Sequence, residues 1–470
     1  MLYQLSYTPL RDRTSPPIRA LSSIKQRGDG KGEAPDALFN FYLLGQNWPN
    51  QRAREPKRAR EEKMTAQTAA RQAPAPHTPP LPHAKPESIG LSVQALQRMS
   101  DTFRREIDKG TIPGATIMVA RRGQIGWFDA LGKQSPTGST ATAKDTIFRI
   151  FSMTKPIVSI SVMMLLEQRH FQLDEPIAKF IPEFANQKVG VENNGDLDLV
   201  PLKRPITIQD LLRHTSGITY EHTGNGLVQK LYQQSRLRSR KLSNAEHATL
   251  VASLPLICQP GAEWNYSRST DILGRLIEVV SGKTLGAFLR ERIFAPLQMT
   301  ETGFHTGAEN ASRLAEPFAT DPWSGEKVQF FNMLEKPAME SGGGGLVSTT
   351  MDYARFCQML LNGGTLDGLR IIGRKALELM ASDHLDPSVK IQGTLTQPGH
   401  SFGLGFGVRT QRGIAPFMGS VGQFFWSGMG GTFFWIDPKE DLFAVFMSQG
   451  PGQRVHTRTL VRNMVYAALE

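Results

Sequence analysis

The sequence predicts an α/β chain of the α+β type: one antiparallel sheet built from both chain ends, with flanking helices and a helical region inserted between them. Three observations predict it. Two apolar runs at 115–120 and 125–130, separated by Arg121-Arg122-Gly123, read as a β-hairpin. Strand-like runs return only near the end, at 407–410, 432–436 and 442–448, the last two joined by a turn at Asp437-Pro438-Lys439-Glu440. Between the two groups, roughly 171–340 is dominated by helical spacing, as in 208–212 and 271–280. Strands at both ends must meet to share a core, which leaves a cleft between the sheet and the inserted helices.

Taken in order, residues 1–85 stand apart. They combine fourteen Lys/Arg with seven Asp/Glu and many prolines, including Pro74, Pro76, Pro79, Pro80 and Pro82, and show no sustained periodicity. Such a stretch buries too little apolar surface to offset its ordering entropy and reads as a disordered basic leader, with Met64 as an alternative start. Residues 86–470 form the folded domain. An amphipathic helix is expected at 93–109, with Leu96, Met99, Phe103 and Ile107 on one side. The hairpin follows, then a helix beginning at Ser152, the helical insertion, the C-terminal strands and a closing helix at 457–469.

Bulk properties exclude several functions. The net charge of +11 over 470 residues suggests a nucleic-acid binder, yet seven of those charges lie in 1–85. A solvated tail accounts for them, so no nucleic-acid partner is expected. No apolar run is long enough to span a bilayer, and the first residues lack the apolar core of a secretory signal. A cytoplasmic protein with no membrane partner is expected. Cys258 and Cys357 sit beside apolar residues without metal-ligand spacing and read as buried free thiols. No metal and no cofactor are expected.

Ser152-Met153-Thr154-Lys155 carries the chemistry. Three residues is close to one helical turn, so the hydroxyl and the amine share a face and can share a proton. Pro156 has no N–H and is tolerated only near a helix start, which puts Ser152 in the opening turn, where its own N–H can face a substrate oxygen. Helix N-termini favour a developing oxyanion. The apolar run from Ile157 to Leu166 makes this helix central.

Two further segments give the pattern its meaning. Asn265-Tyr266-Ser267 precedes a helix, and Trp426-Ser427-Gly428-Met429 leads into a strand. In this order the three elements resemble the class C β-lactamase and penicillin-binding-protein family of serine hydrolases, over about 87–470, with support from Leu211-Leu212-Arg213-His214-Thr215-Ser216-Gly217 and 344–349. The resemblance implies a β-lactamase/transpeptidase-like fold and an acyl-enzyme mechanism. It implies Ser152 as nucleophile, with Lys155 and Tyr266 moving its proton, and the backbone N–H groups of Ser152 and Met429 as the oxyanion hole. Desolvation is expected to push Lys155 toward its neutral, basic form.

Two departures shape the expected substrate. Arg268 stands where the family often carries Asn, two residues after the tyrosine. Trp426-Ser427-Gly428 replaces Lys-Thr-Gly, so the substrate-binding strand carries an indole instead of a cation, and Gly428 lets its edge approach closely. A small-molecule ester with an uncharged acyl part is expected, the esterase-like branch of the family. Hydrolysis of β-lactam or D-amino-acid peptide amides is the alternative, and a catalytically silent binding protein a third.

Two competing motifs fail. Gly399-His400-Ser401-Phe402-Gly403 fits G-x-S-x-G, but no helix follows it as that elbow requires. His214 follows a helix within His-Thr-Ser-Gly and is expected to stabilise a turn.

Overall fold

The computed structural model describes residues 79–391 and 397–470. Most of the expected basic leader, and Met64 with it, lies outside the described residues. The last leader residues do not stand apart from the domain. Leu81 is buried in the core, and Pro82 and Ala84 hydrogen-bond to the backbone of Ile125, so the packed domain includes residues assigned to the leader by composition. A short apolar anchor among prolines is enough to seat the strand edge.

Seven strands form one antiparallel sheet: β1 (Gly114–Arg121), β2 (Gln124–Gly132), β3 (His400–Phe402), β4 (Gly407–Arg409), β5 (Phe424–Ser427), β6 (Phe433–Asp437) and β7 (Leu442–Ser448). Their order is β3-β4-β5-β6-β7-β1-β2, so the N-terminal hairpin docks onto the last strand. Ala115 faces Ser448 and Arg121 faces Leu442 across that junction. This closes the chain ends into one sheet, as the sequence predicts.

Side chains alternate across the sheet. Leu442, Ala444 and Phe446 of β7 join one apolar cluster with helix α1 (Val93–Asp108) and the closing helix. Phe443, Val445 and Met447 join the other, larger cluster. In α1 the Leu96, Met99 and Phe103 stripe is fully buried, and Ser92 caps the helix by accepting from Ala95 N–H. The expected amphipathic face is therefore the one that packs.

On the opposite face lie α2 (Thr154–Glu167) and the inserted helices α3 (Ile208–Leu212), α4 (Leu227–Gln234), α5 (Asn244–Ala252), α6 (Ser269–Ser281) and α7 (Leu285–Leu289). Helices α8 (Thr350–Leu361), α9 (Arg374–Met380) and α10 (Arg454–Tyr466) complete the set. Helix α2 is buried nearly end to end, as its unbroken apolar run requires. Among the described residues no helix is long and apolar enough to cross a membrane.

The insertion is not wholly helical. Lys188–Asn193 and Asp196–Pro201 pair as a hairpin whose turn residues, Asn194 and Gly195, have φ of 50° and 90°. Asn-Gly favours this left-handed turn, so the signal was present in the sequence beneath a helical reading of its surroundings.

Candidate active site

The helix expected at Ser152 begins as a tight 3-10 turn, Phe151–Met153, before α2 proper starts at Thr154. Phe151 is held at φ 44°, a left-handed conformation that an aromatic residue rarely adopts. Its surroundings enforce it. The ring meets Phe330 edge-on at 4.8 Å, and it lies so close to Gly430 that a Cβ there would come within 2.6 Å of it. Ile150 N–H donates to Leu346 O at 3.0 Å, Leu346 N–H donates to Thr154 Oγ1 at 3.2 Å, and Tyr353 donates its hydroxyl to Met153 O at 2.9 Å. The turn is thus stapled on both sides, and it leaves Ser152 half-buried rather than sealed in.

Lys155 sits below Ser152 and is 1% exposed. Its ammonium donates to Ser152 Oγ at 3.3 Å, to Tyr220 Oη at 3.1 Å and to the Gly343 carbonyl at 2.6 Å. It also stands 4.5 Å from the centre of the Tyr266 ring. Burial opposes the charge, but Tyr220, Tyr266 and the carboxylate of Asp271 together outweigh it, and the amine is held above its ordinary value. The burial expected from the sequence is present, and the Asp271 carboxylate and the acceptors around the amine oppose its effect on the charge.

Tyr266 comes to this cluster through its ring and is fixed by Trp426 and His214. Trp426 donates its indole N–H to Tyr266 Oη at 3.3 Å, with ring centres 5.4 Å apart. His214 packs against it at 4.9 Å, itself 1% exposed and engaged with Ser267 Oγ at 3.1 Å. Burial, and then the Lys155 charge, drive His214 well below its usual range, so it is a neutral packing group. Trp426 was expected to offer its face to substrate. With 4% of its surface exposed and Phe402 edge-on at 5.1 Å, it instead supports Tyr266.

Tyr220 is the site residue that sequence reasoning missed. It lies three residues beyond the His214-Thr215-Ser216-Gly217 segment, whose turn aims it at Lys155. Burial pushes its phenol up, against the pull of Lys155. Arg268, at the position where Asn was anticipated, lies with its guanidinium carbon 5.3 Å from the Tyr220 ring centre and grips Glu221 through Nε at 3.2 Å and Nη2 at 2.9 and 3.0 Å. Burial opposes the Glu221 charge, but Arg268 and its other partners hold the carboxyl far below the usual range. The substitution thus converts a short amide into a buried anchor for the Tyr220 loop.

The third motif lies beside the nucleophile turn. Gly428 follows β5 and packs so tightly against Thr432 and the Ile150 carbonyl that no side chain fits there. Thr432 also donates its hydroxyl to Ile150 O at 3.3 Å. Met429 is half-buried in the turn that follows, and Ser427 pairs with Phe433 across the sheet. Ser401, by contrast, sits on edge strand β3 and donates to Asp383, away from this cluster. Both thiols are free and buried, with Cys258 pushed up to about 12 by burial.

The chain is similar to known proteins in sequence and in fold. The family model described as Beta-lactamase matches residues 99–467. Protein Rv1367c of Mycobacterium tuberculosis is 33% identical over 357 residues, covering 74% of this chain and 88% of the relative. Esterase EstB of Burkholderia gladioli is 29% identical over 290 residues, covering 57% of this chain and 71% of its own. Among solved structures, the chain is similar to EstCE1, titled a hydrolase with promiscuous acyltransferase activity, with a TM-score of 0.67 at 24% identity over 79% of this chain and 99% of that one. With its sheet closed from both ends and its serine and lysine on the central helix, the chain belongs to the Beta-lactamase family.

Proposed function

We propose that the protein cleaves carboxylic esters through an acyl-enzyme on Ser152. The observation that carries this reading is the contact of the half-buried Ser152 hydroxyl with a fully buried Lys155 ammonium, inside a cluster of two phenols. Ser152 Oγ attacks the ester carbonyl. Its proton is relayed through the Tyr266 phenol, whose Oη takes it up while giving its own proton to the departing alkoxide. The Lys155 ammonium stabilises the negative charge that develops on oxygen during this relay. The backbone N–H groups of Ser152 and Met429 receive the oxyanion, and each such donor is worth about 3 kcal/mol in the transition state.

Esters are favoured over β-lactams by the third motif. No lysine stands on β5 to pair with a substrate carboxylate, and the Trp426 indole is engaged with Tyr266. The similarity to Esterase EstB supports the same choice. The experiment compares p-nitrophenyl acetate and butyrate with nitrocefin, with Ser152→Ala as the control. Ester turnover that disappears in the variant is expected. Nitrocefin turnover alone would favour the amide reading, and neither activity would favour a silent binding protein.

A further inference from the structure

We propose that Asp271 is a positioning residue for acylation: its carboxylate anchors the glycine turn whose Gly343 carbonyl holds the Lys155 amine against Ser152. This rests on the ester-cleaving reading above. Asp271 lies in the first turn of α6 and is 4% exposed. Its reach is indirect and made of backbone. Oδ1 accepts from Ser341 Oγ at 2.6 Å and from Gly343 N–H at 2.9 Å. The Gly343 carbonyl then accepts from Lys155 Nζ at 2.6 Å, the shortest of the three hydrogen bonds on that amine.

The turn has no freedom to move independently. Gly344 and Gly345 N–H both donate to Ser341 O, at 3.3 and 2.9 Å. A Cβ on Gly342 would lie 2.5 Å from the Thr270 carbonyl, and one on Gly343 would lie 2.8 Å from Asp271 Oδ2. Glycines at these positions let the turn lie flat on the start of α6, close enough for one carboxylate oxygen to take two donors. The other oxygen faces Arg268 Nη1 at 3.9 Å, so the Arg268 that holds Glu221 also steadies Asp271. Ser341, Asp271, Gly343 and Lys155 thus form one continuous line to the nucleophile. If the anchor is lost, the Gly343 carbonyl drifts and the amine loses its strongest fixed acceptor.

The test uses the full chain and three variants, with p-nitrophenyl butyrate kinetics, the rate of Ser152 labelling by a fluorophosphonate, and thermal unfolding. In Asp271→Ala, kcat is expected to fall about tenfold or more with KM within about threefold, and labelling to slow in parallel, because misplacement of a catalytic group acts on the chemical step. Asp271→Asn keeps a carbonyl oxygen for both donors and is expected to recover at least about threefold of the lost kcat. Ser341→Ala removes one of the two anchoring bonds and no charge, and is expected to lower kcat about threefold. A folded Asp271→Ala protein with kcat within about threefold of the unaltered chain, or one whose only change is in KM or thermal midpoint, overturns the proposal. Should that variant not fold, unchanged kcat in both Asp271→Asn and Ser341→Ala overturns it. Turnover and labelling of the unaltered chain are recorded first, so a failure of the ester reading is seen there and is separate from a failure of the role given to Asp271.

Discussion

Trp426 donates its indole N–H to the phenol oxygen of Tyr266 at 3.3 Å, and so the residue that replaces the family's third-motif lysine acts on the second-motif tyrosine. Trp426→Phe keeps an aromatic ring and removes the donor. Loss of one such hydrogen bond is worth about 1 kcal/mol, so kcat for p-nitrophenyl butyrate is expected to fall about fivefold with little change in thermal midpoint. Unchanged kcat would mean that the bond does not orient the phenol.

Lys155 is held above its ordinary value of 10.5 by its neighbours, against the effect of burial. A group raised in the folded state contributes stability that is complete below its unfolded value and is lost as pH rises through the folded one. The difference in unfolding free energy between the unaltered protein and Lys155→Met should therefore stay constant from pH 7 to about 10 and change only above that. A change centred near neutrality would indicate an amine that gives up its proton in the resting enzyme.

Gly428 has no room for a side chain against Thr432 and the Ile150 carbonyl. Gly428→Ala must push the end of β5 away from the nucleophile turn, a cost of about 1–3 kcal/mol in stability. Met429 N–H moves with it, so kcat should fall by about a hundredfold if that amide is an oxyanion donor. Chemical denaturation and steady-state kinetics on the same preparation separate the two effects. A stability loss without a kinetic one would remove Met429 from the oxyanion hole.

Glu221 and Arg268 are both buried and share three hydrogen bonds. Glu221→Gln breaks the pair and leaves Arg268 only the more distant Asp271 carboxylate, and about 3 kcal/mol of stability is expected to be lost. The Glu221 carboxyl is depressed far below its ordinary 4.5, so its contribution is complete above that pH and is lost as pH falls toward the folded value. The gap between the two proteins in urea denaturation should therefore narrow below about pH 4.5.

The frame of the site was legible because it depends on local spacing. Ser152 and Lys155 are one helical turn apart, the Leu96, Met99 and Phe103 stripe repeats with the helix, and strands β1, β2, β6 and β7 carry runs that only a sheet can bury. What escaped reading depends on contacts between distant segments. Tyr220 lies 65 residues from Lys155, and Gly343 lies 188 residues away, so neither partnership leaves a mark in local sequence. The surroundings of Lys155 escaped for the same reason: its apolar helix shows the burial, while the Tyr220, Tyr266 and Asp271 that act against it come from elsewhere. Trp426 was assigned to the substrate because its strand was recognisable and its partner, 160 residues upstream, was not.

The most direct test of the account is the mass of the intact protein during ester turnover. Rapid acid quench after mixing with p-nitrophenyl butyrate should reveal one added butyryl group, with peptide mapping placing it on Ser152 and Ser152→Ala abolishing both adduct and turnover. An adduct on another residue, or ester hydrolysis that persists in Ser152→Ala, would contradict the assignment of the nucleophile and with it the role given to every group around Lys155.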